Sequence, residues 1–170
     1  MDTSAVIALV IVAIFILFSF TVFTGAPFVP SKPSDVKKAF TKLYPLNKND
    51  FLIDLGAGIG TVQKVATRHG AKSIGYELNP IYAGIARFRL RKVENATIKC
   101  CNFYNIKFPQ QATVVYFFGD TRDIKKIFHK IQSEAKRLNK PLYVISYAFD
   151  IPDVTPEKSV GAHYLYKIAP

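Results

Sequence analysis

Apolar positions change their spacing along this chain, and each change marks a different kind of element. From Ala5 to Phe23 they are continuous and carry no charge. As a helix rising 1.5 Å per residue the run would reach about 28 Å, close to the ~30 Å hydrocarbon core of a bilayer. A retained membrane helix is therefore expected within 1–26. A cleaved leader fits less well, because the start, Met1 to Ser4, lacks basic residues and Pro27 would directly follow a cut after Ala26. The first cations after the run are Lys32, Lys37 and Lys38, while its amino side has only Asp2. That asymmetry predicts a single-pass protein with the rest of the chain on the cytoplasmic side. A prokaryotic plasma membrane is favoured over a mitochondrial inner membrane, since the amino terminus lacks the Arg-rich character of a transit peptide.

Three prolines, Pro27, Pro30 and Pro33, make 27–33 an extended, semi-rigid linker. Val36, Ala39, Phe40 and Leu43 then recur at helical spacing behind Ser34, a candidate N-cap. From Asp50 onwards two patterns alternate. Short runs that are apolar on successive positions (51–55, 72–76, 97–101, 112–118, 142–147) read as strands buried on both faces. Longer runs with helical periodicity (61–69, 80–93, 122–138) read as helices, and 162–168 as an edge strand. The expected fold class is α/β: one doubly wound, mostly parallel sheet over 34–170, preceded by the membrane helix.

Charge and cysteine content alter this picture little. The formal net charge is +11, and every Lys and Arg lies after the apolar run. A membrane surface explains such a body more economically than nucleic acid, because no recognisable nucleic-acid module accompanies the charge. Cys100 and Cys101 are adjacent on a strand, so their side chains point to opposite faces and offer no disulfide framework. His69, His129 and His163 are scattered, and no metal-ligand spacing is present.

The candidate chemistry lies where the first strand of the alternating region turns into its helix, the place ligands occupy in such sheets. "DLGAGIGT", Asp54 to Thr61, sits there with Gly56, Ala57, Gly58, Ile59 and Gly60. Glu77 ends the next strand, where a carboxylate can accept hydrogen bonds from both hydroxyls of a ribose. A tight turn would need such glycines for geometry alone, but the paired acid points to an adenosine ligand. Dinucleotide sites use G-x-G-x-x-G, and Thr61 stands where that third glycine belongs. G-x-G-x-G with Asp54 two residues ahead suits S-adenosyl-L-methionine, which has no pyrophosphate to accommodate.

"PFVPS" at Pro27 to Ser31, "DLGAGIG" at Asp54 to Gly60 and "GYELNP" at Gly75 to Pro80, behind an amino-terminal apolar segment, resemble a known family. These are the membrane-anchored seven-β-strand protein-lysine methyltransferases of the ADP/ATP carrier and the ATP synthase c-subunit, with their prokaryotic relatives. The resemblance implies a Rossmann-like class I methyltransferase domain using S-adenosyl-L-methionine. Asp54, Gly56, Ala57, Gly58 and Gly60 would surround its methionine end, Glu77 would hold the ribose, and Leu78 and Asn79 would lie beside the adenine. Ile59 and Asn102 stand where the family usually has acids, and the Asn102 amide oxygen can still accept from the adenine amine. "PFVPS" packs near the cofactor and target-lysine channel in the family.

Methyl transfer from a sulfonium asks the protein mainly for alignment. The catalytic candidates, which would orient the amine, come from the loops after the fourth and fifth strands: Asp120 in "FFGDT", and Tyr147 or Asp150 in "SYAFDIPD". Asp120 is equally placed to cap the following helix. The strand ending "FFGD" lacks the Asn/Asp-Pro-Pro-aromatic motif of adenine and glutamine methyltransferases. The expected activity is N-methylation of a lysine on a membrane-associated protein. The alternatives are methylation of RNA or a small molecule, a non-catalytic cofactor-binding scaffold, and, less well supported, a nicotinamide-dependent oxidoreductase.

Overall fold

The computed structural model describes residues 2–23, 31–119 and 122–170, and within 2–23 the side chains of 2–12 and 15. The amino-terminal run forms α1 (Thr3–Phe23). Its described apolar side chains, Ala5 to Val12 and Phe15, are exposed. Among the described residues no helix is long and apolar enough to cross a membrane. The expected transmembrane helix, and with it the single-pass membrane localisation, is corrected accordingly. Most of the linker, Pro27 to Pro30, lies outside the described residues.

The remaining elements are α2 (Pro33–Lys38), continued by a π-helical turn (Ala39–Leu43), then β1 (Phe51–Leu55), α3 (Thr61–Arg68), β2 (Lys72–Glu77), α4 (Pro80–Leu90), β3 (Ala96–Cys100), β4 (Val114–Phe118), α5 (Ile124–Leu138), β5 (Leu142–Tyr147), β6 (Lys158–Val160) and β7 (His163–Ile168). The helix expected behind a Ser34 cap begins two residues earlier, with Lys32 at the N-cap position and Pro33 in the first turn, where its missing N–H costs nothing. The short strand β6 has no counterpart among the sequence expectations; "KSV" is too brief to show an alternation.

Seven strands form one sheet in the order β3-β2-β1-β4-β5-β7-β6. The first five are mutually parallel, and β7 and β6 add antiparallel at one side. This is the class I methyltransferase arrangement: the strand order reverses direction between β1 and β4, and a crevice opens beyond their carboxyl ends. Successive side chains serve opposite faces. Ile53, Leu55, Val115, Phe117 and Val144 pack under α5, while Leu52, Val114, Tyr116 and Ile145 pack under α2, its π-helical extension and α3. A smaller cluster of Ala83, Ala86, Leu90 and Ile98 seats α4 beside β3.

Candidate active site

The glycine turn follows β1, and its backbone is folded down over the end of β2. The Gly56 and Ala57 N–H groups both donate to the Tyr76 carbonyl, at 2.9 and 3.0 Å. Gly56 has φ +89°, and a Cβ placed there would meet nothing within 4 Å, so the turn opens onto free space at that point. Gly75, on β2 beneath the turn, is the opposite case. A Cβ there would fall 2.5 Å from the Gln63 amide nitrogen and 2.6 Å from the Ala57 methyl. The turn and α3 thus lie directly against the backbone of β2.

Glu77 joins this turn to the next helix. One carboxylate oxygen accepts from Gly58 N–H at 2.7 Å and the other from Asn79 N–H at 2.8 Å. Each oxygen keeps further acceptor capacity for a ligand's hydroxyls. Asn79 in turn caps α4, its side-chain oxygen accepting from Ile81 N–H at 2.9 Å and Tyr82 N–H at 3.4 Å, with Pro80 in the first turn. "ELNP" is therefore a single device in which acid, cap and proline hold the start of α4 against the glycine turn. Leu78 between them is 44% exposed and forms a rim.

Asp54 is the electrostatic centre. It is 2% exposed, and its one described hydrogen bond comes from the Gln63 side-chain amide at 2.8 Å. Burial, countered by that bond and reinforced by the negative charge of Glu77, pushes its pKa from 3.8 up to about 7. The Gln63 carbonyl oxygen is buried and has no partner among the described residues. A buried carboxylate without a counter-charge, an orphaned acceptor and an acid with spare lone pairs thus face one turn. These groups suit a ligand that brings a cation, N–H donors and vicinal hydroxyls, as S-adenosyl-L-methionine does.

Asn102, expected beside an adenine, commits its side-chain oxygen to Tyr104 N–H at 3.0 Å, capping a short 3-10 turn (Phe103–Asn105). Tyr147 is half-buried at the end of β5, and Asp150 is exposed in the loop beyond it. Asp120 lies outside the described residues.

Three further residues escaped the sequence reading. Gln63 is fully buried on α3 next to Asp54, yet nothing in its spacing sets it apart from an ordinary helix polar residue. Tyr116, paired with Asp54 across β1 and β4, hydrogen-bonds His163 Nε2 from β7 at 3.0 Å. Burial raises the Tyr116 hydroxyl far above its usual range and lowers His163 from 6.5 to about 4, so the pair is uncharged at neutral pH. A histidine opening an edge-strand pattern carries no local signal of such a partner.

A model of the ANTKMT methyltransferase domain matches residues 54–158. The ATP synthase c-subunit lysine N-methyltransferase of Xenopus laevis is 26% identical over 138 residues, covering 79% of this chain and 58% of that protein. Its Mus musculus counterpart is 28% identical over 138 residues, covering 79% and 53%. The chain thus spans between half and three fifths of these curated relatives. Among solved structures, an RNA methyltransferase from Salinibacter ruber in complex with S-adenosyl-L-homocysteine superposes with a TM-score of 0.74 at 23% identity. That superposition covers 83% of this chain and 94% of the other, and it shows a common fold.

Proposed function

As the chain belongs to the family of the ANTKMT methyltransferase domain, we propose that it is a protein-lysine N-methyltransferase. It is a methyltransferase with S-adenosyl-L-methionine as cofactor. The observation that carries this at the site is the uncompensated Asp54 carboxylate beside the Glu77-anchored glycine turn. The lysine assignment is supported by the relatives, whose names specify a lysine of the ATP synthase c-subunit.

When bound, S-adenosyl-L-methionine supplies a methyl group on a sulfonium, a leaving group that needs no further activation. Asp54 balances the cationic amino-acid end, and the open backbone at Gly56 leaves room for it; Ala57, Gly58 and Gly60 complete the turn. Glu77 holds the ribose hydroxyls with its unused lone pairs, and Leu78, Asn79 and Asn102 border the base. The domain 34–170 aligns the deprotonated lysine amine from the β4 and β5 side. With the cofactor bound, a nitrogen–carbon bond would form as the carbon–sulfur bond breaks, and the proton lost by the amine would go to solvent. Asp120 and Tyr147, which follow or end those strands, orient the amine.

Calorimetric titration of the chain with S-adenosyl-L-methionine and its demethylated product tests the first step, with Glu77→Ala expected to weaken both by tenfold or more. Transfer of labelled methyl groups to protein, recovered as methyl-lysine after hydrolysis, tests the second. Saturable binding with no labelled lysine from any extract would support a non-catalytic scaffold instead. A second reading, RNA methylation, is favoured by the net charge of +11; RNA affinity falling steeply with salt, together with labelled RNA, would establish it.

A further inference from the structure

One cross-strand row at the carboxyl end of the sheet places three rings side by side before it ends on Val160 of β6. Phe118 on β4 is paired with Tyr147 on β5, and Tyr147 with His163 on β7. Phe118 alternates with Tyr116, so the row lies on the same sheet face as Asp54. Phe118 also stands one residue beyond the Leu55–Phe117 pair, level with the start of the glycine turn.

The ring centroids of Phe118 and Tyr147 are 5.3 Å apart at 44°, and those of Tyr147 and His163 are 4.5 Å apart and stacked. His163 is 2% exposed, its Nε2 is committed to the Tyr116 hydroxyl, and it ends the row of rings on the side away from the glycine turn. Phe118 and Tyr147 are only half-buried, so each leaves ring surface open. Three rings in one register row, on the side of the glycine turn away from Glu77, exceed what core packing asks of a strand end.

Resting on the lysine-methyltransferase reading, we infer that Phe118 and Tyr147 form the wall of the amine subsite and hold the alkylated ammonium of a lysine by their π faces. An alkylated ammonium carries its charge on a surface of methyl groups and has few or no N–H donors. It is held better by ring faces than by a carboxylate that must give up water to meet it. The row itself contributes no positive charge, because burial keeps the His163 pKa at about 4. Such a wall keeps a partly methylated lysine in place between transfers, so it favours addition of more than one methyl group to the same nitrogen.

The test titrates the full chain, saturated with S-adenosyl-L-homocysteine, with choline and with its neutral carbon isostere, followed by NMR. Choline is expected to bind about tenfold more tightly than the isostere. Phe118→Leu and Tyr147→Leu should each remove most of that preference, and Tyr147→Phe should keep it. Equal binding of choline and isostere, or a preference unchanged in both leucine variants, would overturn the inference. If Tyr147→Leu does not fold, the comparison on the unaltered chain and on Phe118→Leu still decides. S-adenosyl-L-homocysteine affinity, measured in the same samples, reads the methyltransferase assignment separately. Its absence would remove that assignment, while the choline comparison on the free chain would still report on the wall.

Discussion

Asp54 brings the cost and the use of this site together in one side chain. Its pKa of about 7 means that between pH 3.8 and about 7 the folded chain keeps a proton that the unfolded chain has lost. Asp54 therefore makes the free protein less stable as pH rises through that window, with no further loss above it. His163 acts in the opposite sense. Its pKa falls from 6.5 to about 4, so between those values the unfolded chain holds the extra proton and stability rises with pH. The two contributions offset each other from about pH 4 to 6.5, and Asp54 alone acts above that. A bound cation would favour the ionised Asp54, so affinity for S-adenosyl-L-methionine should rise from pH 6 to pH 8 and then level off. Asp54→Asn should bind tenfold or more weakly with a flat pH profile, yet be at least as stable as the parent in the free state at pH 7.5. Calorimetry across that pH range checks it, and a flat parent profile would remove Asp54 from the cation's neighbourhood. The acid and the glycines around this position were legible in the sequence because they are neighbours along the chain. Gln63 was not, because its role arises from a helix turning back onto β1.

At the scale of elements, the boundaries read from periodicity agree with the structure to within a few residues for β1, β2, β5, α3 and α5, since their apolar spacing is set by a shared sheet. The segment 102–111 was unassigned, and what secures it is tertiary. Glu134 on α5 is 4% exposed and accepts from Phe108 N–H at 3.0 Å, Lys130 Nζ at 2.8 Å and Arg137 Nε at 2.8 Å. Arg137 also donates to the Phe108 carbonyl at 2.6 Å. Burial works to raise the Glu134 pKa, but the bonds from Lys130, Phe108 and Arg137 prevail and hold it below the ordinary glutamate range. Glu134→Ala would leave a buried N–H and two cations without their acceptor and should cost about 3 kcal/mol in urea unfolding. A loss under about 1 kcal/mol would mean that water replaces the carboxylate. Packing between elements is just as tight under the glycine turn. Gly75→Ala, with contacts of 2.5 to 2.8 Å to Gln63, Ala57 and Ile98, should destabilise by about 1 to 3 kcal/mol and weaken cofactor binding with it.

For the whole molecule, five parallel strands whose order reverses at β1 and β4 open one crevice, and the glycine turn, Glu77 and the aromatic row all border its carboxyl side. Cofactor binding should therefore be linked to global stability. At about 100 times its dissociation constant, S-adenosyl-L-homocysteine should add about 2.7 kcal/mol, a rise of about 5 to 10 °C in Tm. Scanning fluorimetry with Glu77→Ala as the control reads this directly, and an unchanged Tm at saturation would argue against a site in this crevice.

The alternation of strand and helix, the glycine turn and the acid that closes it are properties of short stretches, and the sequence alone determined them. Local sterics and apolar periodicity act over only a few residues. The run Ala5 to Phe23 suggested a membrane span, but among the described residues no helix is long and apolar enough to cross a membrane. Tertiary structure alone decided that Gln63 would meet Asp54, that Tyr116 would meet His163, and that Phe118, Tyr147 and His163 would align in one row. Gln63 reaches Asp54 because α3 folds back onto β1, whereas the strands carrying Tyr116, Phe118, Tyr147 and His163 are brought side by side only by the register of the sheet.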